Sequence, residues 1–286
     1  MIIVTGASGK LGGAAVRALL ETVPAEQVGV LARSAEKVAD LAAAGVRVHV
    51  GDYEDPASLK AAFPGADGLL FVSGSDVTPG VRERQHGNVV RAAAEAGVGH
   101  VVYTSAVGAD RPDAPGFLAD HTVTEGLLRD SGLPVTPLRN TFYSDSFVNP
   151  AVVRAAVEAG ETIAADGGRA LNTATIADLA RAAAVVVAGG PGEHAGRAYE
   201  LRGPLWTYDE LAATIAAESG RPVTHRRIPL DEAHRLLTKY PVLAHTALDA
   251  YSASCRVHGH VGGGCSEGCP RGSAAVSSFS LWSAFV

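Results

Sequence analysis

Two rhythms of apolar and polar positions alternate along the first half of the chain. Short apolar runs at Met1 to Val4, Val28 to Leu31, Val46 to Val50, Gly68 to Val72, Val101 to Thr104 and Val135 to Leu138 have the length of buried strands. Between them, Leu11 to Leu20, Lys37 to Ala44, Pro56 to Ala62, Gln85 to Ala96 and Thr122 to Asp130 place apolar residues at helical spacing. Strands separated by helices of this length require right-handed crossovers. The pattern therefore predicts an α/β fold built on a doubly wound parallel sheet, with ligands at the carboxyl ends of the strands. Further on the rhythm loosens into helices at Ala151 to Ala159, Ile176 to Ala188 and Tyr208 to Glu218, with strands at Ala198 to Leu201 and Val223 to Ile228. These read as a smaller C-terminal α/β lobe, with substrate expected in a cleft beside the sheet. The predicted division is a nucleotide-binding domain over 1–145, a substrate-binding lobe over 146–250 and an irregular tail over 251–286.

Composition narrows the picture. The 286 residues are 47% hydrophobic and 19% charged, a globular balance with room for a large core. A net charge of -6, with His225, Arg226 and Arg227 as the one compact basic run, argues against nucleic acid as a partner. The apolar start lacks a basic segment or cleavage site, and no run reaches membrane-spanning length, so the protein is expected in the cytoplasm with no membrane partner. Oligomeric state does not follow from these residues, and a homo-oligomer stays open. All three cysteines fall in the tail, so no disulfide framework is expected. Cys255, His258, His260, Cys265 and Cys269 fit no standard zinc spacing, and no metal site is expected. From about Tyr251 the chain turns to Gly and Ser without period, which reads as a flexible tail or the product of a shifted reading frame.

The sharpest chemical signal lies between the first strand and the first helix. In VTGASGKLGG, Gly6, Gly9 and Gly12 recur every three residues. Such glycines permit a tight turn, a close backbone approach to a pyrophosphate and close packing of helix on strand. The helix amides and dipole then face the phosphates, which makes Gly6, Ala7, Ser8, Gly9, Lys10, Leu11 and Gly12 the candidate cradle. A ligand-free glycine turn is the plainer alternative. After the second strand stands Arg33, where a carboxylate would bind the ribose hydroxyls of NAD. A guanidinium there suits the 2′-phosphate of NADP, although a plain surface arginine would look the same. Asp52, with Tyr53 beside it, either holds the adenine edge or serves as a turn residue. Ser73, Gly74 and Ser75 after the fourth strand, and Thr104 in the fifth, are small enough to leave room for ribose and nicotinamide.

TGASGKLG, Arg33, GDYEDPASL, YTSAVGAD, LRNTFYSDSF and AYELRGPLWTYDELAATIAAESGRPV together resemble the NmrA-like, atypical branch of the short-chain dehydrogenases. Within that branch they are most similar to the bacterial NADPH-dependent quinone oxidoreductases, in collinear order over roughly residues 1–240. The resemblance implies a Rossmann-type sheet, NADPH as cofactor, a quinone-like substrate, and cofactor contacts that extend to Arg139. Most short-chain dehydrogenases pair a tyrosine with a lysine four residues on, and no tyrosine here has one. A quinone suits such a site, because hydride addition to a strongly oxidising conjugated ring yields a resonance-stabilised anion. Asn140, Tyr143, Ser105 and His121 are the candidate polar neighbours. Each has a duller reading: turn former, packing aromatic, helix cap and surface histidine respectively. Gly126 follows Glu125 where related reductases commonly carry lysine. That departure gives weight to a second function, a non-catalytic NADP(H)-binding redox sensor acting through a protein partner.

Overall fold

Alternate residues of the apolar strand at the chain's start are buried on opposite sides, and the sheet grows from it in both directions. In a computed structural model of the chain, residues 1–111, 114 and 116–239 are described. The first part runs β1 (Ile2–Thr5), α1 (Lys10–Leu20), β2 (Val28–Ala32), α2 (Ala39–Ala43), β3 (Arg47–Val50), α3 (Pro56–Ala62), β4 (Gly68–Phe71), α4 (Val81–Ala96), β5 (Val101–Ala106), α5 (Phe117–Asp130) and β6 (Val135–Asn140). It continues through β7 (Phe142–Tyr143), α6 (Ser144–Phe147), α7 (Pro150–Ala159), β8 (Glu161–Ala164), β9 (Leu171–Ala174), α8 (Ile176–Gly189) and α9 (Pro191–His194). The last elements are β10 (Tyr199–Leu201), β11 (Leu205–Trp206), α10 (Tyr208–Ser219), β12 (Thr224–Arg227) and α11 (Leu230–Lys239).

The described chain divides into two compact units. The first holds Met1–Asn140 and Ile176–Leu201 around a seven-stranded sheet in the order β10-β6-β5-β4-β1-β2-β3, every pairing parallel. Ile3, Leu31, Leu69, Phe71, Val101 and Tyr103 pack on one face against Leu59, Phe63, Val89 and Leu128 of the α3–α5 side. Val4, Val30, Leu70 and Val102 are equally buried. Burial on both faces explains why these strands read as continuous apolar runs. Each fully buried leucine or phenylalanine contributes about 1.5–3 kcal/mol. The chain winds outward from β1 through β2 to β3, then crosses back to β4 on the other side of β1, which opens a crevice at the carboxyl ends of β1 and β4.

The boundary expected at residue 146 needs a correction, because the chain returns to the first unit with α8 and β10. The apolar face of α8, with Leu179, Ala180, Ala183 and Val187, packs on α1 and reaches β4 and β5. Gly68 makes room for it: a Cβ there would stand 3.1 Å from Val187 Cγ2. β10 then extends the sheet beyond β6, pairing Leu201 with Asn140. Helices α4 and α5 also begin earlier than expected, at Val81 and Phe117, entered from Gly80 (φ 77°) and Gly116 (φ 56°). The expected helix over Lys37 to Ala44 splits into a short 3-10 turn, Glu36–Val38, and α2.

The second unit takes residues 141–175 and the described residues from 202 on. It holds a three-stranded sheet, β11-β9-β7, and the parallel pair β12-β8. Phe147, Ala164, Leu171 and Tyr208 form one small core, and Ala156, Ala212, Ile215 and Val223 another. Helix α10 starts at a capping box in which the Glu210 amide donates to Thr207 Oγ1 over 3.2 Å and Glu210 accepts from the Thr207 amide. Among the described residues no helix is long and apolar enough to cross a membrane. The tail expected over 251–286, its cysteines and histidines included, lies outside the described residues.

Candidate active site

The glycine turn after β1 is shaped by steric necessity. Gly6 has φ +61°, in the left-handed region, and its carbonyl accepts the Gly9 amide over 2.9 Å. A Cβ on Gly12 would stand 2.3 Å from Gly6 O, so only glycine lets α1 start this close to the turn. Ala7 and Leu11 are buried, while Ser8 and Lys10 are exposed. Helix α1 has Gly9 as its N-cap, without a side-chain cap and without an acidic residue in its first turn. Its first amides therefore keep their donors and their positive dipole end for an anion.

Beside that turn, a set of hydrogen bonds fixes the adjoining strand ends. Thr5 Oγ1 accepts the Val72 amide over 3.0 Å, and the Tyr53 hydroxyl sits against both Thr5 Oγ1 and Val72 O, 2.7 Å from the carbonyl. Burial pushes the Tyr53 hydroxyl pKa above its ordinary value, so it stays protonated as a brace between β1 and β4. The Tyr53 carbonyl accepts Asn88 Nδ2 of α4 over 2.9 Å. Asp52 Oδ1 accepts the Glu54 amide over 2.8 Å, the geometry of a local turn. Arg33, directly after β2, is exposed and makes no hydrogen bond or ion pair among the described residues.

Beyond β4, the Ser73 amide donates to Thr104 Oγ1 over 2.8 Å and the Gly74 amide to His86 Nε2 over 2.9 Å. A Cβ on Gly74 would stand 3.0 Å from Gln85 Oε1. The Ser105 hydroxyl donates to Glu125 Oε1 over 2.6 Å, and Glu125 is only 5% exposed. Arg139 grips the same carboxylate, Nε to Oε1 over 3.1 Å and Nη2 to Oε2 over 2.8 Å, with Asp110 3.0 Å from Nη1. That bidentate bond raises the already high guanidinium pKa. Gly126, next along α5, has open space where a side chain would begin.

His121 is buried rather than on the surface, with Nδ1 2.7 Å from the Tyr103 hydroxyl. Burial, reinforced by the charge of Arg82, pulls its pKa down to about 3, so the ring is neutral near neutral pH. Asn140, at the end of β6, is 6% exposed, and its Oδ1 has no hydrogen-bond partner among the described residues. Tyr143 belongs to the second unit, where it pairs with Ala174 and is partly buried.

The structure thus gathers Gly6 to Gly12, Arg33, Asp52, Tyr53, Ser73 to Ser75, Thr104, Ser105, Arg139 and Asn140 along the carboxyl edge of one sheet. Ser105, Tyr53 and Arg139 are engaged in the protein's own bonds. Sequence reasoning missed Thr5, His86 and Asn88. His86 shares a helical face with Val89, Val90 and Ala93, and a lone polar residue on a buried face is the signal that could have found it. The donor set fits NADPH on its own terms: an uncapped, acid-free helix start, an unpaired cation at the end of β2, and an orphaned buried oxygen at the end of β6.

The sequence profile of the NmrA-like family matches residues 1–271. The chain is 43% identical over 230 residues to quinone oxidoreductase 2 of Escherichia coli strain K12, covering 80% of this chain and 78% of that protein. Among solved structures it is similar to the Citrobacter sp. triphenylmethane reductase complexed with NADP(H), with a TM-score of 0.82 at 38% identity, covering 88% of this chain and 90% of the other. It is also similar to the Escherichia coli NADPH-dependent quinone oxidoreductase complexed with NADPH, with a TM-score of 0.80 at 36% identity, covering 91% and 95%.

Proposed function

The chain belongs to the NmrA-like family, and from that premise we propose that it is an NADPH-dependent reductase passing hydride to a quinone-like small molecule. The observation that carries this reading is the pairing of an uncapped helix start at Gly9 with a free guanidinium at Arg33, in a chain this similar to a quinone oxidoreductase. When bound, NADPH supplies the hydride. The amides of Lys10 to Gly12 hold its pyrophosphate, and Arg33 pairs with the 2′-phosphate that distinguishes it from NADH. Thr104 and the loop from Ser73 to Ser75 shape the path between the two halves of the cofactor. Asn140 Oδ1 accepts from an amide or hydroxyl brought to the end of β6, which would satisfy a buried oxygen now without a donor.

Catalysis in this reading rests on orientation. No tyrosine in the chain has a lysine four residues later. Ser105 has committed its proton to Glu125, and His121 is neutral and buried against Tyr103. A conjugated acceptor whose reduced anion is resonance-stabilised needs no strong acid held beside it, and water then supplies the proton.

The test mixes the purified chain with NADPH and a panel of quinones and follows the absorbance of the reduced nicotinamide. Oxidation that requires both protein and quinone is expected. Tight NADPH binding without oxidation by any acceptor overturns the enzyme and leaves an NADP(H)-binding sensor.

A further inference from the structure

The one polar side chain of α4 that is wholly buried against the β4 loop is His86, at 0% exposure, and it is bonded at both ring nitrogens. Thr124 Oγ1 lies 2.7 Å from the Asp120 carbonyl and 2.8 Å from His86 Nδ1. The Gly74 amide only donates, so the ring proton sits on Nδ1 and faces Thr124 Oγ1. Nε2 is then bare and accepts the Gly74 amide over 2.9 Å. The tautomer is set by the chain of bonds, and the ring is clamped edge-on against Phe71 at 4.9 Å and Tyr103 at 5.8 Å. Burial holds its pKa well below the ordinary value, with His121 and Arg82 adding to the effect.

We propose that His86 is a positioning residue of the cofactor site: by accepting the Gly74 amide it fixes the loop from Ser73 to Ser75 for the nicotinamide half of NADPH. The proposal rests on the NADPH reading given above. Peptide planarity carries the argument from the helix to the crevice. In a trans peptide, N–H and C=O point in opposite directions, so an amide anchored on α4 turns the Ser73 carbonyl away from that helix. The preceding peptide is fixed in the same manner, its N–H on Thr104 Oγ1 and the Val72 carbonyl on the Tyr53 hydroxyl side. Two consecutive peptides of the loop are thereby set by side chains from elsewhere in the unit. The Ser73 carbonyl stays as an acceptor of the kind that sugar hydroxyls use. An apolar residue would fill the same volume, but it would leave the Gly74 amide without an acceptor.

The test uses the full chain with His86→Phe, which keeps an aromatic ring but has no acceptor, and His86→Gln, whose Oε1 can replace Nε2. NADPH affinity is read by nicotinamide fluorescence. Binding of 2′,5′-ADP, which lacks the nicotinamide half, is read by calorimetry. His86→Phe should weaken NADPH by about tenfold or more and 2′,5′-ADP by less than about twofold, and His86→Gln should recover most of the NADPH affinity. Unchanged NADPH affinity in His86→Phe, equal loss of both ligands, or a glutamine variant no better than phenylalanine each overturns the proposal. A wild-type chain that binds no NADPH overturns the cofactor reading itself, a failure visible before any variant is made.

Discussion

Buried neutral histidines should make the first unit acid-labile well above the usual carboxylate range. His121 titrates at the ordinary 6.5 in the unfolded chain but is pulled down to about 3 in the folded one, by burial first and the Arg82 charge second. Below 6.5 the unfolded state therefore takes up a proton that the folded state refuses, and stability falls as the pH falls. Above that value the contribution is fully present. One such proton is worth about 1.4 kcal/mol per pH unit, so His121 alone should remove about 2 kcal/mol between pH 7 and about pH 5. His86 and His100 are displaced in the same direction, chiefly by burial, and steepen the loss. Asp120 works against it, because burial raises its carboxyl pKa and the folded state takes up that proton more readily. Urea unfolding of the wild type and of His121→Asn, whose amide oxygen can still accept from Tyr103, measures the effect. The variant should lose about 2 kcal/mol less than the wild type between pH 7 and about pH 5. Parallel pH dependences for the two proteins would refute the assignment of that proton to His121.

Three further substitutions probe the cradle and its surroundings. Gly12→Ala places a Cβ 2.3 Å from Gly6 O, so α1 must move off the turn. NADPH titration should then show at least about tenfold weaker binding, and urea unfolding a loss of about 1–3 kcal/mol. Arg33→Ser removes the cation at the end of β2, and should weaken NADPH by about tenfold to a hundredfold while leaving NADH within about threefold in parallel fluorescence titrations. Gly126→Ala fills open space inside α5 without a strained backbone and should stabilise the fold by about 0.5–1 kcal/mol, so a lower melting temperature would contradict the open space seen there.

The parallel sheet was legible because burial on both faces writes β1, β2, β4 and β5 as uninterrupted apolar runs. The same logic hid β8 and β9. Their buried positions include Thr162, Asn172 and Thr173, whose polarity reads as loop until their partners are known. Asn172 accepts the Gly203 amide over 3.2 Å and donates to the Gly203 carbonyl, a pairing across 31 residues that no local pattern reports. The return of α8 and β10 to the first sheet was hidden for a related reason. Periodicity shows that a helix has an apolar face, but not which surface receives it.

At the candidate site the division falls between steric and relational information. Gly6 and Gly12 are needed by the backbone itself, so their spacing carries the turn without reference to any distant residue. A polar side chain at a strand's carboxyl end is different, because it either meets the ligand or holds the protein around it. Ser105 and Arg139 look like ligand contacts until Glu125, on a helix elsewhere in sequence, is seen to bind both. Arg33 and Asn140 Oδ1 are instead left without partners among the described residues, and the distinction lies wholly in what folds against each position. His86 is the converse case, a residue on a buried helical face that reaches the loop from behind. In a chain without a tyrosine–lysine pair, orientation of cofactor and acceptor must supply what acid–base chemistry would otherwise provide. In the proposed reading, the groups that fix the β4 loop act through the placement of the cofactor.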